Sequence, residues 1–129
     1  MKVEKVHTVL SIPDDWDNLA TCYYQRKQFL LHSQNWNRCN QRYYLAFEDN
    51  ILVAGAVVYT LKLNLFTYAN SSFPITMQIT GIPCSVSCQG LIGKNQYAYE
   101  LLDHIFSVEN GLCLALNLEN TTGISRKLV

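Results

Sequence analysis

The sequence lacks an excess of charge of either sign, because ten lysines and arginines balance ten aspartates and glutamates. A neutral chain is not typical of a general nucleic-acid binder or of a polybasic membrane protein, since both depend on clustered positive charge. We therefore expect no nucleic-acid partner, and a ligand or partner that is small or local. Near-zero net charge also gives little protection against self-association.

Long apolar segments are missing as well. The longest uncharged apolar run, ILVAGAVVYTL, falls well short of the roughly 20 residues that cross a bilayer. The first residues, MKVEKVHTVLSIPDD, carry charges and a proline where a signal peptide would have its apolar core. We therefore expect no membrane partner and a cytoplasmic location.

Cysteine occurs in an odd number, five, without a C-x-x-C pair, and the three histidines are scattered. This pattern indicates reduced thiols and predicts that the protein has no metal site. The cysteines are Cys22, Cys39, Cys84, Cys88 and Cys113.

The length of 129 residues, with 49% hydrophobic and 16% charged residues, is typical of one folded globular domain spanning residues 1–129. A short strand is predicted in EKVHTVLSI. Asp14 and Asp15 then predict the cap of a helix, and the pattern continues as two helices or one bent helix reaching about Ser33. RYYLAFE and ILVAGAVVYTLKL are predicted to form an antiparallel hairpin joined at Asp49 and Asn50. Gly55 within it indicates a bulge or a close approach of the backbone.

The segment from Asn18 to Phe47 contains no acidic residue. Two interpretations are open: a positive, aromatic surface for an anionic ligand with a ring, or a solvated helix face beside core tyrosines. Its cations and larger aromatic residues are Arg26, Lys27, Arg38, Arg42, Tyr23, Tyr24, Trp36, Tyr43 and Tyr44.

The stretch from Ile75 to Glu119 organises the rest of the chain. The strand-like run ITMQITGIP, the loop CSVSCQGLIG, a helix from about Gln96 to Glu109 and the apolar run LCLALNL follow one another. Leu101, Leu102 and Ile105 lie on one stripe of the helix, and Gly111 suits the left-handed position after it. This order predicts a parallel crossover unit. Its helix start is either an anion site for a phosphate or a plain connection.

The complete element order resembles the first two-thirds of the GNAT acyltransferase superfamily. The phrases IPDDWD, FLLH, NQRYYLAFEDN and GIPCSV more narrowly resemble its FemAB-like, peptidoglycan-related branch. The resemblance implies an α+β fold with a mixed, mostly antiparallel sheet and helices on its faces. Because the family continues with a further helix and two strands, it also implies a fold truncated after the fifth strand.

By this resemblance, the cofactor would be acyl-CoA such as acetyl-CoA, which is not required for folding. Its phosphates would lie at Gln89 to Asn95 and its thioester along Ile79 to Pro83, although the spacing of Gln89, Gly90 and Gly93 differs from the family's pyrophosphate motif. The implied cofactor-binding residues are Ile79, Gly81, Ile82, Gln89, Gly90, Gly93, Lys94 and Asn95.

The leading functional hypothesis is therefore transfer of an acyl group from acyl-CoA to an amine. Glu48, Glu119 and His7 are the candidates for the base that removes the ammonium proton. The truncation predicts weak or no activity of the isolated chain, and a homodimer or a C-terminal partner domain. The alternative hypothesis is a non-catalytic binding or protein-interaction module on the same scaffold.

Overall fold

The computed structural model describes residues 1–65, 73–83, 89–109 and 111–115. Within these ranges the strands are β1 (Lys2–Val6), β2 (Arg42–Glu48), β3 (Ile51–Leu65), β4 (Phe73–Thr80), β5 (Leu91–Gly93) and β6 (Leu112–Ala115). The α-helices are α1 (Trp16–Leu19), α2 (Lys27–Trp36) and α3 (Asn95–Val108), and 3₁₀ turns lie at Val9–Ser11 and Tyr23–Gln25. The fold is α+β, as the sequence predicts.

The sheet has the strand order β1-β2-β3-β4-β6, and β5 also pairs with β3. All pairs are antiparallel except β4 with β6, where Met77 lies opposite Leu112 and Thr80 opposite Ala115 in parallel register. Helix α3 lies between these two strands in the chain. The predicted mixed, mostly antiparallel sheet and the predicted parallel pair are both confirmed, while residues 116–118 of the predicted last strand lie outside the described ranges.

The hairpin of β2 and β3 turns at Asp49 and Asn50, as predicted. Both residues have positive φ angles, 51° and 65°, which the tight turn between twisted strands requires. The irregularity in this ladder lies between Ala46 and Phe47 and not at Gly55. Gly55 instead permits a close approach, because a Cβ atom there would lie 2.2 Å from Cζ3 of Trp16.

Each face of the sheet packs against different helices. On one face, small residues of β2 and β3, Ala46, Ala54 and Ala56, contribute to the cluster in which Leu101 and Ile105 of α3 are buried. Their small side chains leave room for the helix to lie close to the sheet. On the other face, the N-terminal elements pack around the fully buried Trp16. The members of that second cluster include Val9, Ile12, Leu30, Tyr43, Leu45, Val57, Ile82 and Ile92.

The N-terminal helices differ from the prediction in how they begin. Asp15 has helical backbone angles and makes no capping hydrogen bond, so the predicted acidic cap is wrong. Asp17 caps the second helix instead, because its Oδ1 accepts a hydrogen bond of 2.8 Å from the backbone N–H of Lys27. The Lys27 ammonium pairs with Asp14 at 2.9 Å. The two acidic residues thus hold α1 and α2 together across the intervening turn.

Several element boundaries also differ. The first strand ends at Val6, and the predicted strand residues that follow it include a 3₁₀ turn. The loop predicted between β4 and α3 contains the short strand β5. Helix α3 runs from Asn95 to Val108, and Gly111 has a φ of 88°, as expected of the residue type that follows a helix. No described helix is long and apolar enough to span a membrane.

The cysteines do not all share one state. Cys22 is disulfide-bonded, so the prediction of reduced thiols is wrong for this residue. Cys39 and Cys113 are thiols, and Cys84 and Cys88 lie outside the described residues.

Replacing Leu101 by aspartate tests the packing of α3. Leu101 is completely buried, so Leu101→Asp would place an unpaired charge in the core and lower the free energy of unfolding by about 4 kcal/mol. Urea denaturation measures this loss. Gln96→Asp is the matched control, because Gln96 is exposed on the same helix and should change stability by less than about 1 kcal/mol. Equal stabilities of the two variants would contradict the packing of α3 described above.

Candidate functional site

The two ends of the predicted cofactor loop, Gly81 and Gly90, both form hydrogen bonds with one residue of β3, Val57. Strand β4 pairs with Val58 to Leu65, and β5 continues along the same side of β3 with Ala54 to Ala56. Between them, the Val57 carbonyl accepts a hydrogen bond of 3.0 Å from Gly81 N, and Val57 N donates one of 2.9 Å to the Gly90 carbonyl. Gly81 and Gly90 together therefore occupy the place of one strand residue opposite Val57.

Two backbones at one strand position leave no space for a side chain. A Cβ atom on Gly90 would lie 2.5 Å from Gly81 N and 2.6 Å from Gly81 Cα. Gly93 is confined in a similar way, since it has a φ of 105° and its Cβ atom would lie 2.3 Å from the Val53 carbonyl oxygen. The close approach expected at these glycines exists, but it is an approach of the chain to its own backbone.

The returning end of this loop is held by Gln25, which is only 2% exposed. Its Nε2 donates a hydrogen bond of 2.9 Å to the Gln89 carbonyl. Its Oε1 accepts hydrogen bonds from the backbone N–H groups of Thr21 and Cys22. The amide side chain therefore attaches the start of β5 to the segment that precedes α2.

The structure divides the predicted cofactor residues into two groups. Lys94 and Asn95 are exposed at the start of α3, whereas the others are buried or half-buried in the sheet and at the pinched strand position. Gly93 lies opposite Ala54 and Ile79 opposite Tyr59, so these two positions are roughly 17 Å apart along β3. The buried or half-buried residues are Ile79, Gly81, Ile82, Gln89, Gly90 and Gly93.

The start of α3 has the chemistry of an anion site. Lys94 occupies the cap position and forms no capping hydrogen bond through its side chain, and the first turn contains no acidic residue. The first backbone N–H groups of α3 have no partner within the helix, and the positive end of the helix dipole lies there. The Lys94 ammonium adds a full positive charge at the same place. Lys94 and the first turn of α3 fit a phosphate group. Gly90 and Gly93, by contrast, lie against the backbone of neighbouring residues.

The candidate bases do not come together. Glu48 ends β2 and is 3.6 Å from the amino group of Met1, while His7 is exposed after β1. Val6 lies opposite Tyr43, so His7 is level with Arg42, and Glu48 lies six residues further along β2, roughly 20 Å away. Glu119 lies outside the described residues. Glu48 is the candidate nearer the start of α3. Ala54 pairs with Gly93, just before α3, and with Ala46, which is two residues before Glu48.

A buried ion pair that the sequence analysis missed joins β2 to the end of α3. Arg42 is 2% exposed, and its Nε donates a hydrogen bond of 2.9 Å to Oε1 of Glu109. The Tyr44 hydroxyl donates to the same oxygen at 2.6 Å, and the Lys5 ammonium lies 3.4 Å from it. The rest of the guanidinium donates to Asn40 O, Thr60 Oγ1 and Gln78 Oε1.

These contacts shift the pKa values of the Glu109 carboxyl and the Tyr44 hydroxyl in opposite directions. Burial works to raise the pKa of Glu109, but the hydrogen bonds from Arg42 and Tyr44 outweigh it and hold the pKa at about 2. Burial, and then the hydrogen bond to Glu109, raises the pKa of the Tyr44 hydroxyl far above its usual range. At neutral pH Glu109 is a poor base and Tyr44 a poor acid. The cluster therefore serves to position α3 and not to transfer protons.

The acid-free segment does not form one cationic surface. Arg42 is buried and Lys27 is paired with Asp14, so Arg26 and Arg38 remain as its exposed cations. Tyr43 and Tyr44 belong to the core, as the second interpretation of this segment expects. Trp36, by contrast, is 75% exposed, and Tyr23 and Tyr24 are also exposed.

Compared with protein-family models, with curated proteins and with solved structures, the chain gives no match. In the part of the chain that the structure describes, no group of three or more His, Cys, Asp or Glu side chains is placed to hold a metal ion.

The shared strand position can be tested by Gly90→Ala. The added methyl would displace the Gly81 backbone, and we expect the free energy of unfolding to fall by about 3 kcal/mol. Gly111→Ala is the control, because no atom of the described residues lies within 4 Å of its Cβ position and its left-handed angle is unfavourable by about 1 kcal/mol. Thermal and urea unfolding compare the two. A smaller loss for Gly90→Ala than for Gly111→Ala would contradict the shared position.

Glu109→Gln tests the buried pair. Removing the carboxylate leaves the Arg42 charge buried without its partner, so we expect a loss of roughly 3 to 5 kcal/mol at neutral pH. Because the folded-state pKa of Glu109 is lowered from 4.5 to about 2, its stabilisation is complete above pH 4.5 and disappears as the pH falls toward 2. The variant should therefore lose less stability than the wild type between these pH values. Parallel pH profiles of urea-unfolding free energy would show that Glu109 is not the group responsible.

Proposed function

We propose that this chain is a GNAT-type domain that binds acyl-CoA and directs its acyl group to an amine. The supporting observation is one parallel strand pair, β4 with β6, in an otherwise antiparallel sheet, with α3 between those strands in the chain. This is the arrangement that the resemblance implies for the part of the fold that holds the acyl donor. The exposed start of α3 supplies a place for its phosphates.

The contribution of the chain to donor binding is limited to a few groups. The first-turn N–H groups of α3 donate hydrogen bonds to the phosphate, and the Lys94 ammonium adds positive charge at an exposed position. Acyl-CoA itself supplies the activated thioester. Gly81 and Gly90 act indirectly in this proposal, because they permit β5 to follow β4 beside β3 and so set where α3 begins.

Glu48 is not placed beside the expected thioester. It lies opposite Ile51, whereas Ile79 lies opposite Tyr59, roughly 27 Å away along β3. Glu48 lines a pocket of about 470 Å³ with Glu4 and Asp49, but Lys2 also lines this pocket, and the Glu48 carboxylate is paired with the amino group of Met1. The proposal therefore rests on donor binding at α3 and assigns the base to neither described candidate.

Non-catalytic binding is the second candidate function, and the surface around α2 favours it. Tyr23, Phe29 and His32 line a pocket of about 540 Å³, and the indole of Trp36 is almost fully exposed beyond it. Exposed aromatic side chains in such number are typical of surfaces that bind another molecule. A domain of this class would bind its partner in the absence of any acyl donor.

Titration of the ¹⁵N-labelled protein with CoA tests the first proposal. The amides of Lys94 to Tyr97 should shift in a saturable way, and added salt should weaken the binding. Lys94→Gln should raise the dissociation constant by about two- to fivefold, the range of one charge at a helix start. Lys2→Gln is the matched control, since it removes an exposed lysine from the edge strand β1. If CoA shifts no amide at the start of α3, the acyl-donor proposal fails.

A further inference from the structure

A third pocket lies where the segment after α2 runs beside β3. Arg38, Cys39, Asn40, Thr60 and Lys62 line this pocket, which has a volume of about 320 Å³. Among the described residues, its lining contains two cations and no carboxylate. Thr60 N donates a hydrogen bond of 2.7 Å to the Cys39 carbonyl, which fixes residues 38–40 alongside β3.

Arg38 and Lys62 place like charges at one pocket. Both side chains line this pocket, and both residues are exposed at its rim. Like charges that line the same small pocket repel each other.

The neighbouring acidic group does not relieve this repulsion. Within the described ranges, neither Arg38 nor Lys62 forms an ion pair. Glu109 reaches this region through Arg42, which also donates to Asn40 and Thr60 of the pocket lining. Its single negative charge is already shared by Arg42 and Lys5, two positive charges against one. The Glu109 carboxylate is therefore already neutralised and does not compensate the charges of Arg38 and Lys62.

We propose that this pocket binds a compact dianion, with a phosphate monoester as the favoured ligand class. The planar guanidinium of Arg38 suits two oxygens of such a group, and the Lys62 ammonium and the Asn40 amide offer further donors. The volume is at the lower end of ligand pockets and suits a small ligand better than a whole dinucleotide-sized cofactor. Thr60 is six positions from Ala54 along β3, so the pocket lies roughly 20 Å from the start of α3. It is thus separate from the proposed acyl-donor site.

Titration with inorganic phosphate at constant ionic strength tests this inference on the full chain. We expect saturable shifts of the Asn40, Thr60 and Lys62 amides, with a dissociation constant that Lys94→Gln leaves unchanged. Arg38→Gln and Lys62→Gln should each raise the dissociation constant by roughly ten- to a hundredfold, as expected for one charge-assisted hydrogen bond. Arg26→Gln is the matched control, because Arg26 is an exposed cation of the same acid-free segment outside this pocket. If Arg38→Gln fails to fold, Lys62→Gln at its exposed position tests the same loss of phosphate affinity.

A parallel titration with succinate distinguishes the two sources of a compact dianion. Tighter binding of phosphate assigns the pocket to phosphate monoesters, and tighter binding of succinate assigns it to dicarboxylates, each consistent with a dianion site. Phosphate shifts that do not saturate, or that are the same in Lys62→Gln as in Arg26→Gln, overturn the proposal.

A charge reversal gives a readout that does not depend on the choice of ligand. Lys62→Glu should abolish phosphate binding and raise the thermal unfolding midpoint, because Arg38 would then face a carboxylate. A lower midpoint in a variant that keeps the native amide spectrum would show that the two cations do not repel each other in the native fold, and would remove the basis of the proposal.

Discussion

The two hydrogen bonds of Val57 are the constraint on which the position of α3 depends. One side of β3 must be paired along its length, and the pairing passes from β4 to β5 at this residue through Gly81 and Gly90. If one glycine could not approach the other, β5 would move by a residue along β3. Because side chains alternate across a strand, such a slip would turn Leu91 away from the α3 face, where it is buried.

Helix α3 is therefore attached at both ends by different interactions. Its start is set by the backbone pairing of β5, and its end by the hydrogen bonds of Glu109 to Arg42 and Tyr44. A buried ion pair contributes little net stability, because both charges must be desolvated, but removing one partner is costly. It therefore acts against alternative positions of the helix end. The alanines of β2 and β3 beneath the helix allow any close position, and the ion pair selects one.

The features that the sequence predicted correctly depend on neighbouring residues. The Asp49–Asn50 turn, the buried stripe of α3 and the parallel crossover follow from local periodicity and turn chemistry. The features that were missed depend on a distant partner. Arg42 and Glu109 are 67 residues apart, Gly55 is a glycine because of Trp16, and Gly90 because of Gly81. The position of Arg42 and Tyr44 on one face of β2 was the available signal, because a cation between apolar neighbours needs a carboxylate.

The two ends of α3 differ in how their charge is compensated. At the start, the dipole is positive and no acidic residue of the first turn neutralises it. At the end, the dipole is negative and Glu109 adds a further negative charge, an arrangement that is unfavourable unless cations surround it. Arg42 and Lys5 supply these cations. The same carboxylate that fixes the end of α3 on the sheet therefore requires both cations beside it.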